Sequence, residues 1–127
     1  MDAVHPIQAG SLTLRADGIL HAVFDFDESV AQSAAEEYLA VRDELVGSDP
    51  GPVMLEMIRV PFVDRAIRQF LVDGLAPPPC RAVVATDPAL LTMFRSFELV
   101  QSADVPTRIF MTVDAAVDWI HEQAAAR

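Results

Sequence analysis

The sequence predicts an α/β fold, a single domain on a mostly parallel β-sheet with the element order ββαβαβαβα. Three observations predict it. Short, largely apolar runs stand at VMLEM (53–57), RAVVAT (81–86) and TRIFMT (107–112), as expected of strands buried in a sheet. Segments with apolar residues at helical spacing separate these runs. Strands that alternate with helices must be joined by crossovers, which makes their sheet parallel. The third observation is SLTLRADGILHAVFDF, which reads as a β-hairpin and adds an antiparallel edge.

Each element has its own signal. In the hairpin, Ala16-Asp17-Gly18 is the turn, and Gly18 is free to take positive φ. Leu20, Ala22, Phe24 and Phe26 share one face of the second strand, and Ile19, His21, Val23 and Asp25 the other. A helix follows over about 29–46, with Val30, Ala34, Tyr38, Val41 and Leu45 on one stripe. Asp27 or Ser29 caps it, and Gly47 stops it. A second helix is expected over 63–73, ended by Gly74 and Pro77-Pro78-Pro79. Asp87-Pro88 pairs an N-cap acid with a first-turn proline and opens a helix over about 88–100. Thr112-Val113-Asp114 opens the last of about four helices, with Val113, Ala116, Val117 and Ile120 inward. The expected division is an N-terminal extension over 1–9, the domain over 10–123 and a frayed tail over 124–127.

Composition narrows the function classes. A chain of 127 residues with 52% apolar residues is long enough for one core. No apolar run approaches the roughly 20 residues of a membrane span, so no membrane insertion is expected. The N-terminus has Asp2 and no basic segment before an apolar one, which argues against a signal peptide and makes the cytoplasm the expected compartment. Cys80 is the single cysteine, so no disulfide framework is expected. A net charge of −10 is repelled by phosphate backbones, and no nucleic-acid partner is expected. All nine basic residues are arginine, which excludes lysine chemistry.

Catalytic motifs are sparse. His5, His21 and His121 have no metal-ligand spacing, and glycine-rich nucleotide loops and GxSxG are absent, so neither metal nor cofactor is expected. His21 reads as a ligand or base on a strand, or more plainly as a half-exposed strand histidine. Cys80 reads as a small apolar residue before a buried strand. Asp25, Asp27 and Glu28 cluster at a strand-to-helix loop; they suit a hard cation or, more simply, a solvated helix start. Arg59, Asp64, Arg65 and Arg68 gather after VMLEM, at the carboxyl-end side of a parallel sheet where ligands usually sit. They form a candidate binding surface with Asp27, against the plainer reading of a solvated polar face. Phe62, Phe70, Met93, Phe94, Phe97 and Trp119 are candidates for an apolar pocket or a dimer surface, with core packing the competing reading.

These residues carry a family resemblance. LEMIRVPFVDRAIR (55–68) resembles the STAS-domain stretch LDLSGVxxIDSSGL of anti-sigma-factor antagonists. FDFDESVA resembles the pattern GELDxxTA, which places Asp27 on the family's loop acid, and TRIFMTVDAAVDWI resembles the closing strand and helix of SpoIIAA-like proteins. The likeness spans about 10–123. It implies a SpoIIAA-like (STAS-like) regulatory or binding domain of a small bacterial protein, acting as a homodimer on a protein partner or a ligand. The family's two serines fall on Arg65 and Ala66 and its glycine on Ile67, so the phosphoserine switch is not expected here. Some SpoIIAA-like proteins resemble CRAL-TRIO lipid carriers, which implies a small apolar ligand as the alternative. An enzyme with a site at Arg59, Asp64 and Arg65 is the third reading; it lacks a clear nucleophile or base.

Overall fold

A computed structural model describes residues 3–27, 29, 31–47, 51–59, 78–92 and 105–126. Its strands are β1 (Val4–Ile7), β2 (Gly10–Leu14), β3 (Leu20–Asp25), β4 (Val53–Arg59), β5 (Arg81–Ala85) and β6 (Thr107–Phe110), with α1 (Ala31–Val46) after β3 and α2 (Val113–Ala125) at the end. They form one six-stranded sheet in the order β1-β2-β3-β4-β5-β6. β1, β2 and β3 pair antiparallel, and β3 to β6 pair parallel. The α/β reading holds, with a mixed sheet. The expected helix over 63–73 lies outside the described residues, and so does the helix after Pro88 beyond residue 92.

Both ends of the chain carry regular structure. The supposed extension over 1–9 supplies β1, which pairs with β2 from Val4↔Thr13 to Ile7↔Gly10. Pro6 concealed it, because proline cannot donate to a ladder and is tolerated only on an edge. At the other end, α2 runs through Ala125. Alanine is the strongest helix former, and propensity carries the last turn.

Elsewhere the local signals do what their chemistry dictates. Gly18 sits at φ 86 in the β2–β3 turn, and Gly47 at φ 63 ends α1. The Gly47 N–H donates to the Asp43 carbonyl at 2.9 Å and closes the last turn. Asp87 Oδ1 accepts from the N–H groups of Ala89 at 2.8 Å and Leu90 at 3.3 Å, capping a helix that starts at Pro88. Thr112 Oγ1 accepts from the Ala115 N–H at 3.1 Å and caps α2.

Each parallel step moves to the next strand in the same direction, so right-handed crossovers belong on one face. α1 and the Leu90–Leu91 turn do pack on one face, against Leu12, Ala22, Phe24, Leu55 and Val83. Tyr38 meets the Phe24 ring edge-on at 5.1 Å. α2 follows the last strand and covers the opposite face, where Ala116, Trp119 and Ile120 pack on Ile19, Met54, Cys80, Ala82 and Val84. Each fully buried large side chain in these layers contributes about 1.5–3 kcal/mol of transfer free energy. Alternation along β3 sends Leu20, Ala22 and Phe24 to the α1 layer and leaves His21 and Val23 on the other face.

Candidate binding site at the carboxyl ends of the strands

The parallel strands β3 to β6 finish at one edge of the domain, and the chemistry predicted for Asp27 and Arg59 gathers there. A register shift between Phe24 and Asp25 brings Asp25 opposite Arg59. Arg59 Nε donates to Asp25 Oδ1 at 3.0 Å, joining the expected carboxylate cluster to the expected arginine cluster. The Phe26 N–H donates to the Arg59 carbonyl at 2.9 Å and holds the chain as it leaves the sheet. Asp27 accepts from both the N–H (2.9 Å) and the hydroxyl of Ser29. The Ser29 hydroxyl and N–H, with the Arg59 charge, hold the Asp27 carboxyl below its ordinary value. The cluster is therefore acid, guanidinium, acid, all open to solvent.

Beside this group lies a cleft of ≈ 180 Å³ between the ends of β4 and β5 and the start of α2. Its apolar wall includes Ile58, Val84, Met111 and Val113; its polar groups are Glu56, Thr86 and Thr112. Ile58 and Met111 are 57% and 60% exposed, unusual for large apolar side chains. Glu56 is held from behind: its Oε1 lies 2.8 Å from His21 Nε2. The hydroxyl of Thr112 is occupied by the α2 cap.

Of the predicted site residues, the structure unites Arg59 with Asp25 and sets Asp27 within reach of their field. Asp64, Arg65, Arg68, Phe62, Phe70, Met93, Phe94 and Phe97 lie outside the described residues. Trp119 is buried in the α2 layer, 7% exposed with its ring 5.6 Å from that of Phe110. It sits on the face of α2 that also carries Ala116 and Ile120, so packing claims it. The His21–Glu56 pair was missed because the partners are 35 residues apart, on neighbouring strands whose register no local pattern encodes. Among the described residues no group of three or more His, Cys, Asp or Glu side chains is arranged to hold a metal ion.

Sheet and edge together define a class: a mixed six-stranded α/β domain with a charged, partly apolar rim at the carboxyl ends of its parallel strands. The chain belongs to the family described as Domain of unknown function (DUF7793), whose model matches residues 12–124. No curated protein and no solved structure matches it. Among the described residues, no helix is long and apolar enough to cross a membrane.

Proposed function

We propose that this chain is a non-catalytic binding domain of the SpoIIAA-like type, a cytoplasmic homodimer without the serine phospho-switch, that docks a protein segment at the carboxyl ends of its parallel strands. The observation that carries this reading is the pair Ile58 and Met111. Both are more than half exposed at a cleft with a charged group beside it. An apolar centre with a polar, salt-sensitive rim is how protein-binding patches are built. The chemistry also favours binding over reaction: Glu56 is engaged by His21 and the Thr112 hydroxyl by the helix cap.

A carrier of a small hydrophobic ligand, resembling CRAL-TRIO proteins, is the second reading, and the apolar wall of the cleft favours it. The cleft itself, at ≈ 180 Å³, is smaller than the roughly 300–1,000 Å³ of drug-sized ligand sites and suits one or two inserted side chains, which supports the first reading at this edge.

The test is native mass spectrometry on protein isolated from cells, comparing wild type with Ile58→Glu/Met111→Glu. A protein mass retained by the wild type and lost from a folded variant is the expected result. A co-purifying small molecule would favour the carrier, and identical spectra would defeat both. Sedimentation velocity tests the homodimer, which a monomer at working concentration would remove.

A further inference from the structure

Glu56 is out of keeping with its place in the sheet. β4 is flanked by β3 and β5, and its side chains alternate between the two faces. Met54 is fully buried on the α2 face, and Glu56 follows two residues on, on the same face. Its neighbours across the ladder are Val23 of β3 and Val84 of β5. Such a position calls for another apolar side chain. The chain places a carboxylate there instead, with the side chain only 28% exposed.

The bond from His21 does not use up this carboxylate. His21 Nε2 lies 2.8 Å from Glu56 Oε1 and donates to it, because an ionised carboxylate only accepts. A carboxylate has two oxygens with about four acceptor positions, so one such bond orients the group and leaves the second oxygen's capacity. An open volume adjoins it, since Glu56 lines the ≈ 180 Å³ cleft together with Ile58, Met111 and Val113. Apolar walls lower the local dielectric and strengthen any pairing that the carboxylate makes.

Charge selects the occupant. The whole chain carries a net charge of −10, so its field draws cations and repels anions. Two positive features stand near the cleft, and each is answered. Arg59 donates to Asp25. The amino end of α2 has the Thr112 cap and Asp114 in its first turn. A hard metal ion is a poor match, because it wants several oxygen ligands, and among the described residues no group of three acids is arranged to supply them. A long side chain with an apolar stem and a cationic head fits both parts of the cleft. Its stem lies on Ile58 and Met111, and its head meets Glu56.

We propose that the cleft receives a lysine or arginine side chain of the docked protein segment, with its cationic head on Glu56. The inference rests on the docking reading given above and adds the chemistry of the partner. Ile58 and Met111 supply contact area that any apolar stem can use. Glu56 supplies the selection: a cationic head gains a charge-assisted hydrogen bond, and an acidic one meets like charge.

The probes are n-butylguanidinium and n-butylammonium, which carry the cationic head and most of the stem, and n-butylurea, a neutral counterpart of the first. Each is titrated into isotope-labelled wild type and Glu56→Gln, and amide shifts are followed by NMR at Glu56, Ile58, Met111 and Val113. One or both cations are expected to bind with shifts centred on these residues, and the tighter one identifies the side chain. Butylurea should bind about tenfold more weakly, and Glu56→Gln should weaken the cations about tenfold, for one hydrogen bond to a charged group. The comparison of probes on wild type carries the test if Glu56→Gln does not fold. Equal binding of butylurea, unchanged affinity in Glu56→Gln, or no response to either cation would overturn the inference. Native mass spectrometry of Glu56→Gln beside wild type separates it from the docking reading. A protein partner retained equally by both leaves docking standing and removes the cationic anchor. No retained partner in wild type removes docking, and this inference with it.

Discussion

The two ends of the parallel sheet treat arginine in opposite ways. At the carboxyl end Arg59 pairs with Asp25 in the open, the side chains 65% and 47% exposed. At the amino end Arg81 and Arg42 are buried in the α1 layer, and among the described residues Arg81 meets a phenol, a hydroxyl and the other guanidinium. The difference shows that contact alone is a poor guide to energy. The exposed pair has good geometry and little net worth, because water screens it and two long side chains are ordered to make it. The buried cations have far more at stake, because low dielectric magnifies whatever faces them.

The comparison breaks most readily at Tyr38. Its ring packs on Phe24 and its hydroxyl holds Arg42. Tyr38→Ala removes both, and a loss of about 3–5 kcal/mol is expected from the cavity alone. Urea denaturation checks this; a loss under about 1 kcal/mol would mean that α1 is not anchored at this end.

Arg81→Met sharpens the comparison because its sign is unusual. Replacing a buried charge by an apolar side chain of similar length should raise stability by ~1–4 kcal/mol in chloride buffer. Destabilisation in that buffer would show that the Arg81 charge is already compensated. At the other end, a double-mutant cycle on Asp25→Asn and Arg59→Gln should give a coupling below ~1 kcal/mol that fades with added salt.

The fold was largely legible from period and punctuation. The hairpin, the α1 stripe through Ala34 and Tyr38, the Asp87-Pro88 start and the Thr112 cap each rest on interactions within a few residues, which a sequence displays directly. β1 was hidden because its pairing with β2, not its composition, makes it a strand. The candidate site was half legible. Asp27 and Arg59 declared themselves by residue type, but Asp25 as the partner of Arg59 depends on a register shift across 34 residues. Arg42 and Arg81 gave no signal at all: arginine reads as surface, and only tertiary packing buries it.

Asp17 separates local pairing from burial at the amino end, with the smallest effect. It sits in the β2–β3 turn, where it accepts from the Ile19 N–H at 3.3 Å and faces Arg15 at 3.1 Å and His121 of α2 at 3.1 Å. Burial works to raise its carboxyl, but the Ile19 N–H, Arg15 and His121 outweigh it and hold the group below its ordinary value. A depressed folded value means the unfolded chain takes up the proton first as acid is added. The contribution is therefore complete above the unfolded value of about 3.9 and is lost as pH falls through the folded one. Asp17→Asn should cost under ~1 kcal/mol at neutral pH, because the pair is partly solvated. The gap between wild type and variant should close as pH drops below about 3.9, measured by urea denaturation across pH. A gap that stayed constant into acid would mean that the turn, rather than the charge, is what Asp17 supplies.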